Sequence, residues 1–237
     1  MFSRSTEFYD LIYSNFKDYE TEADLVAARI RVLRPDARRL LDVACGTGEH
    51  ALHLARRGYL VDGVDIEPSF VALASAKNRG GEGRFVQGDM TALELGARYD
   101  VVLCLFSSIG YALTVENLER AVAGFARHLR PGGLALVEPW FGPGQMTPGR
   151  VNLKTAEARG LTVCRMSHTE IAGRVSRLRF EYIIGDSRGL ERRSELHELG
   201  LFTREEMERA FRRAGFRVEL DEEGIYDRGL YFAHLEG

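Results

Sequence analysis

Apolar residues along this chain alternate between short continuous runs and stretches of helical spacing. The run Leu40 to Val43 breaks into the small residues 44–48, and from Ala51 to Ala55 the apolar positions follow helical spacing. Such a change of period predicts a strand, a tight turn and a helix. Further short apolar runs lie at 59–65, 84–90, 99–106 and 134–138, with helical patterns between them. This alternation predicts an α/β fold with a doubly wound, Rossmann-like, mostly parallel sheet.

The rhythm changes after residue 140. Residues 141–150 form a Gly/Pro-rich loop, and 161–169, 174–184 and 191–201 have the pattern of antiparallel strands. Thr203 to Glu206 is a capping box that starts a helix, and strands at 216–220 and 229–235 close the sheet. We expect one domain over 1–237, composed of a helical arm or lid (1–35), a core (36–140), an antiparallel β insertion forming an acceptor pocket (141–202) and closing elements (203–237).

The first twenty residues are rich in aromatic side chains. Phe8, Ile12 and Phe16 follow i, i+4 spacing, which predicts a short helix. This helix either packs onto the domain or forms a lid lined by Tyr9, Tyr13 or Tyr19.

Composition and charge narrow the classes of function. Hydrophobic residues make up 45% and charged residues 28%, which is typical of an ordered domain. A net charge of −3 gives no electrostatic reason to expect nucleic acid or an anionic membrane as a partner. No apolar run approaches the roughly 20 residues of a membrane span. The three cysteines are widely spaced and match no metal-ligand pattern, so we expect a cytoplasmic protein without a bound metal ion.

The glycine turn after the first strand predicts a site for an adenosine cofactor. Gly46 to Ala51 fits G-x-G-x-x-G/A, and Asp65 follows Gly46 by 19 residues. An acid at that place binds ribose hydroxyls in NAD enzymes and equally in S-adenosylmethionine (AdoMet) enzymes. The turn alone therefore leaves both cofactors open.

Three segments together resemble class I AdoMet-dependent methyltransferases. They are Asp42-x-Ala44-x-Gly46-x-Gly48, Gly88-Asp89-Met90, and Leu129-Arg130-Pro131-Gly132-Gly133 before a strand. The resemblance implies a seven-stranded methyltransferase sheet with 36–140 as its AdoMet-binding core. It assigns ribose hydroxyls to Asp65 and the adenine amino group to Asp89, unless Asp89 only caps a turn. Asp42 is expected to orient the loop through backbone N–H groups. The full implied cofactor site is Tyr19, Ala44, Gly46, Gly48, Asp65, Asp89, Met90 and Leu105.

A closer resemblance covers nearly the whole chain. The segments 106–111, 137–140, 165–168 and 228–231 are similar to those of N,N-dimethyltransferases that act on nucleotide-linked amino sugars of the desosamine and mycaminose type. Three departures stand out: Tyr111 replaces a usual His, Gly142 interrupts an aromatic run, and the N-terminal arm is shorter. The resemblance implies Ser107, Ser108, Trp140 and Arg228 as substrate residues, with Arg228 on a diphosphate. Tyr111 is the catalytic candidate, with a wall residue as the alternative role.

The resulting hypothesis is an AdoMet-dependent N-methyltransferase that acts on an amino-sugar nucleotide by in-line methyl transfer. The alternatives are another small hydroxyl or carboxylate acceptor, an NAD(P) oxidoreductase, or a domain that binds AdoMet without turnover. The oxidoreductase rests on the glycine pattern alone, because no Tyr-x-x-x-Lys pair is evident. The oligomeric state is open, with a homodimer as one possibility.

Overall fold

Two β-sheets organise the computed structural model, which describes residues 6–158, 160–225 and 228–236. The strands are β1 (Arg39–Val43), β2 (Leu60–Asp65), β3 (Phe85–Gln87), β4 (Tyr99–Cys104), β5 (Leu129–Val137), β6 (Val151–Ala158), β7 (Leu161–Ala172), β8 (Val175–Asp186), β9 (Gly189–Gly200), β10 (Phe216–Asp221) and β11 (Leu230–Leu235). The helices are α1 (Tyr9–Tyr13), α2 (Tyr19–Leu33), α3 (Glu49–Ala55), α4 (Pro68–Lys77), α5 (Val115–His128) and α6 (Arg204–Arg213). Short 3-10 turns cover Met90–Ala92 and Ser108–Ala112.

The larger sheet has seven strands in the order β10-β11-β5-β4-β1-β2-β3. It is parallel from β5 to β3, whereas β11 runs antiparallel to both of its neighbours. The predicted doubly wound sheet is therefore confirmed. All six residues of β4 are buried, as expected for a central strand covered on both faces. The strand order reverses between β1 and β4, which is where ligands bind in open α/β sheets.

Hydrophobic clusters cover the two faces of this sheet. One cluster contains α5, α6 and the strand residues that face them, and its largest members include Phe125 and Phe211. The other joins α2 and α3 to the opposite face through Ile30 and Leu54. The predicted capping box is present at α6, where Thr203 Oγ1 accepts the N–H of Glu206 and the carboxylate of Glu206 accepts the N–H of Thr203.

The second sheet has four antiparallel strands in the order β6-β7-β8-β9, one more than the sequence pattern predicts. The missed strand is β6, an edge strand whose apolar residues Val151 and Leu153 point outward and are 54% and 59% exposed. Its polar residues Asn152 and Lys154 line the internal cavity described below. The hydrophobic alternation is thus reversed, which hides the strand from a pattern search.

The antiparallel sheet lies against the carboxyl edge of the larger sheet, with the N-terminal arm at its side. Trp140 Nε1 donates a hydrogen bond of 2.9 Å to Ser176 Oγ on β8. A Cβ on Gly200 would lie only 2.7 Å from the carbonyl oxygen of Leu113, so β9 approaches the end of the 3-10 turn Ser108–Ala112 closely. Helix α1 packs on β6. Over the part of the chain that is described, none of the helices has the length and apolarity needed to cross a bilayer.

Candidate active site

A cavity of about 680 Å³ separates the two sheets and is lined by both of them and by the N-terminal arm. Its volume lies in the range of small-molecule sites. Most of the site residues that the sequence predicts line this cavity: Tyr19, Ala44, Gly46, Asp65, Asp89, Met90, Leu105, Ser108, Tyr111, Trp140 and Arg228. Two predicted residues, Gly48 and Ser107, lie outside this lining.

The loop after β1 passes through left-handed backbone at three positions. Ala44, Gly46 and Gly48 have φ of +57°, +56° and +79°. A Cβ on Gly46 would meet nothing within 4 Å, so this residue presents open backbone to the cavity. A Cβ on Gly48 would lie 2.9 Å from Cβ of Ala74. Gly48 therefore allows the left-handed turn and its close packing on α4. It was predicted to contact the cofactor, but it does not line the cavity.

Asp65 ties the end of β2 to this loop. Its Oδ2 accepts the N–H of Gly46 at 2.8 Å, and its Oδ1 accepts the N–H of Glu67 at 2.9 Å. Burial raises the pKa of Asp65, while these backbone hydrogen bonds oppose the rise. Each oxygen keeps a lone pair, so the carboxylate can also accept hydrogen bonds from a ligand.

Asp42 at the end of β1 is a buried carboxyl that faces the cavity. Its Oδ2 has no hydrogen-bond partner among the described residues, so the expected bonds to loop N–H groups are absent. Burial raises the pKa of Asp42 to about 6, which the charge of Asp65 reinforces and His50 opposes. An unpartnered buried acceptor at a ligand cavity is suited to a cationic hydrogen-bond donor.

Asp89 caps the turn that follows β3. Its Oδ1 accepts both the N–H and the hydroxyl of Thr91, at 2.8 and 2.9 Å. The turn-capping alternative is therefore observed. The side chain also lines the cavity, and both capping contacts use one carboxylate oxygen.

A buried polar network supports the arm beside Tyr19. Glu22 Oε2 accepts Lys17 Nζ at 2.8 Å and lies 2.7 Å from His50 Nε2. The Tyr19 ring packs edge-on against His50 with the centroids 5.0 Å apart. Burial lowers the pKa of Lys17, against the attraction of Glu22. The sequence gives no sign of this network, because its members are separated along the chain and only the fold joins them.

The segment after β4 carries two successive non-glycine residues in left-handed backbone. Phe106 and Ser107 have φ of +53° and +59°, a strained conformation that surrounding contacts must hold. Glu138 Oε2 accepts the N–H of Phe106 at 2.7 Å, and Ser107 Oγ donates to the carbonyl of Pro139 at 2.7 Å. Ser107 is buried and bonded to the protein, which explains its position outside the cavity lining despite the predicted substrate role.

Arg228 pairs with the same buried carboxylate. Its Nε and Nη2 donate to Oε1 of Glu138 at 3.1 and 2.5 Å. The side chain reaches the cavity, but these two donors are directed at the protein. Glu138 was not predicted as a site residue, although it lies within the family segment 137–140.

Arg165 on β7 is a site residue that the sequence reading missed. It is buried, and its Nε and Nη1 have no hydrogen-bond partner in the described chain. The guanidinium lies 4.7, 5.0 and 5.7 Å from the ring centroids of Phe180, Tyr13 and Phe16. Because guanidinium forks match phosphate and carboxylate geometry, this group is suited to an anionic ligand. Its segment, 165–168, was the only sequence signal.

Tyr111 projects into the cavity from the 3-10 turn Ser108–Ala112. Its hydroxyl lies 3.0 Å from Nδ1 of His197 on β9. Burial raises the pKa of Tyr111 well above its usual range, so the hydroxyl stays protonated. Across the ranges that the structure describes, no three His, Cys, Asp or Glu side chains form a group that could hold a metal ion.

Comparisons with known proteins identify the family. Residues 40–133 match the family model described as a methyltransferase domain. Over 227 residues the chain is 42% identical to a dTDP-3-amino-3,6-dideoxy-alpha-D-glucopyranose N,N-dimethyltransferase from Streptomyces fradiae, covering 95% of this chain and 88% of that one. It is 40% identical to a dTDP-3-amino-3,4,6-trideoxy-alpha-D-glucopyranose N,N-dimethyltransferase from Streptomyces venezuelae, covering 94% of each.

A solved structure agrees with this placement. The SAM-bound amino pentose methyltransferase CalS10 from Micromonospora echinaspora is 39% identical, with a TM-score of 0.85 over 95% of both chains. The NAD(P) alternative is therefore discarded, and AdoMet is the cofactor. The open backbone of Gly46 and the unpartnered Asp42 fit such a ligand. The chain belongs to the family of AdoMet-dependent methyltransferases that contains the dTDP-amino-sugar N,N-dimethyltransferases.

Proposed function

We propose that this enzyme methylates the amino group of a nucleotide-linked amino sugar. The observation that carries the proposal is the buried Arg165 guanidinium, which has two unpartnered nitrogen atoms and lines the same cavity as Asp42. A diphosphate would pair with such a fork. The names of the relatives, which include dTDP-3-amino sugars, support the same acceptor class.

The cofactor is proposed to lie along the carboxyl ends of β1 and β2. When bound, AdoMet supplies an electrophilic methyl group on a positively charged sulfur. Asp42 would accept a hydrogen bond from the ammonium group of the methionine moiety, and Asp65 would accept the ribose hydroxyls. Asp89 has one oxygen outside the turn cap that would accept the adenine amino group. Lining contacts would come from Tyr19, Ala44, Gly46, Met90 and Leu105.

The acceptor is proposed to lie in the part of the cavity that Trp140 and the antiparallel sheet line together. Arg165 would hold the diphosphate, with Ser108 and Tyr111 near the sugar. Arg228 would act mainly through Glu138, which fixes the strained backbone of Phe106. Holding the amine lone pair opposite the departing sulfur would supply ~7–11 kcal/mol of the barrier.

The chain has three free thiols. Cys45, Cys104 and Cys164 form no disulfide. We infer a reducing compartment, such as the cytoplasm, as the place where the enzyme works.

Incubation with labelled AdoMet and three matched acceptors tests the function. The acceptors are a dTDP-3-amino-3,6-dideoxyglucose, the same nucleotide sugar with a hydroxyl in place of the amine, and the free amino sugar. We expect label and one or two added methyl groups on the first compound only. Equal transfer to the hydroxyl compound would show that the enzyme methylates oxygen and would contradict the proposed amine acceptor. Equal transfer to the free amino sugar would remove the nucleotide from the proposal.

A further inference from the structure

A row of hydrogen-bonded side chains leads from the cavity into the antiparallel sheet. The hydroxyl of Tyr111 lies 3.0 Å from Nδ1 of His197, and Nε2 of His197 lies 3.5 Å from Oε2 of Glu195. The hydroxyl of Tyr182 donates to that same carboxylate oxygen at 3.0 Å. Only Tyr111 in this row lines the cavity. The row therefore connects one hydroxyl at the cavity to an imidazole and a carboxylate behind it.

The inner members of the row are isolated from solvent. His197 is 1% exposed and Glu195 is 6% exposed. The Phe180 ring covers the imidazole, with the centroids 4.8 Å apart. Burial lowers the pKa of His197, and Glu195 opposes that change while Arg165 adds to it. The imidazole is thus neutral near pH 7. When Nδ1 accepts the hydrogen bond of the Tyr111 hydroxyl, Nε2 carries the N–H and donates it towards Glu195.

An amine acceptor must lose a proton before each methyl transfer, because an ammonium nitrogen has no lone pair. We propose that His197, positioned by Glu195, receives this proton through the hydroxyl of Tyr111. This inference rests on the proposed function, since it requires an amine as the acceptor.

The proton balance of the step is simple. The oxygen of Tyr111 takes one proton from the substrate ammonium as its own proton passes to Nδ1 of His197. The tyrosine is restored, the imidazole becomes imidazolium beside the Glu195 carboxyl, and the amine becomes neutral. Its lone pair then forms the carbon–nitrogen bond while the carbon–sulfur electron pair stays on sulfur. After the transfer, His197 returns the Nδ1 proton to the oxygen of Tyr111 as the tyrosine passes its own proton to solvent in the cavity, which restores the neutral imidazole. Each transfer therefore releases one proton, and dimethylation uses this route twice.

In this proton relay, Tyr111 is the member that faces the cavity. The imidazole of His197 lies one hydrogen bond further back on β9. His197 acts through Tyr111 and is a positioning residue.

The variant His197→Asn separates proton acceptance from simple orientation. Its amide oxygen replaces Nδ1 as a hydrogen-bond acceptor for Tyr111 but cannot take up a proton. With the amino-sugar nucleotide we expect kcat to fall by about 100-fold, with less than a threefold change in acceptor KM. Binding of S-adenosylhomocysteine, followed by calorimetry, should not change.

Two further variants complete the test. Tyr111→Phe should lose as much kcat as His197→Asn, and the double variant no more than either, because all three break one route. His168→Asn is the matched control, since His168 lies on the same sheet with its side chain 43% exposed, and it should behave as the wild type. Full kcat in either His197→Asn or Tyr111→Phe would overturn the relay. A wild-type enzyme that leaves the amine unmethylated would instead overturn the proposed function, and the relay with it.

Discussion

The two halves of the cavity are built in different ways. On the cofactor side, the hydrogen bonds of the strand-end acids join residues nearer in sequence: Asp89 and Thr91 are two positions apart, and Asp65 and Gly46 are 19 apart. On the acceptor side they join distant residues: 86 positions separate Tyr111 from His197, and 90 separate Arg228 from Glu138. The cofactor half uses backbone geometry and carboxylates at strand ends. The acceptor half uses side chains that only the tertiary structure brings together.

This difference explains which functional residues a sequence can reveal. A site made by one turn leaves a contiguous motif, because glycine and acid must recur at fixed spacing. A site made by side chains from two sheets leaves isolated residues with no spacing rule. If the cofactor half and the acceptor half are energetically independent, a substitution in one half should leave ligand binding in the other half unchanged.

The largest expected separation comes from Arg165→Gln. The loss of the guanidinium should raise acceptor KM by about 100-fold, or ~2.7 kcal/mol, because a charge-assisted fork to phosphate is lost. S-adenosylhomocysteine affinity should not change, because Arg165 lies on the acceptor side of the cavity. Steady-state kinetics and calorimetry measure these effects. Arg179→Gln on the exposed face of β8 is the control. A parallel loss of cofactor affinity would contradict separate halves.

Asp42→Asn should have the complementary effect: it should weaken cofactor binding and leave acceptor binding nearly unchanged. Loss of a charged partner for the methionine ammonium should weaken S-adenosylhomocysteine binding about 10- to 30-fold at pH 7.5. At the same pH the ligand-free protein should become more stable. Acceptor KM at saturating AdoMet should stay within about threefold, by the separation argued above.

The pH dependence of this variant has a definite sign. The folded-state pKa of Asp42 is raised from 3.8 to about 6, so ionisation costs folding up to ~3 kcal/mol above pH 6. That cost disappears as the pH falls towards 4. The stabilisation by Asp42→Asn should therefore be present above pH 6 and vanish near pH 4, as measured by denaturant unfolding. A gain that is equal at both pH values would rule out ionisation as its cause.

Protein stability and cofactor affinity should respond differently to substitution of the two glycines Gly46 and Gly48. Gly48→Ala combines a left-handed φ with a 2.9 Å contact to Ala74, and should lower stability by about 2–3 kcal/mol. Gly46→Ala adds its methyl group to open space, so stability should fall by only ~1 kcal/mol while S-adenosylhomocysteine affinity falls about 10-fold. Thermal unfolding measures the stability of both variants, and calorimetry measures their affinity for S-adenosylhomocysteine. Equal affinity losses in both would place Gly48 at the ligand after all.

Much of the cofactor half was open to prediction. The strand–turn–helix at 40–55, the acid at 65 and the turn at 88–90 all line one cavity as expected. The exceptions are instructive: Gly48 faces α4, and Asp42 faces the cavity instead of the loop. Which side of a turn a residue faces depends on neighbours that are distant in sequence. A motif fixes the kinds of residue in a turn without fixing the direction of each.

The acceptor half was predicted mainly by family resemblance, and its details differ. Ser107 was expected at the substrate, but its hydroxyl is bonded to Pro139. Strand β6 escaped the pattern because its polar side lines a cavity and its apolar side is exposed. Hydrophobic periodicity identifies the core side of a strand only when that side is apolar, and a ligand site reverses this condition.

The sequence by itself determined the alternation of strands and helices, the doubly wound sheet and the cofactor turn. These depend on local periodicity and on backbone conformations that few residue types adopt. The tertiary structure alone decided that Arg165, Asp42 and Tyr111 line one cavity, with His197 and Glu195 behind Tyr111. Their hydrogen-bond partners, or the lack of them, arise from the docking of one sheet on the edge of another. Burial raises the pKa values of Asp42 and Tyr111, lowers that of His197 and leaves polar atoms of Asp42 and Arg165 unpaired. It has no signature along the chain.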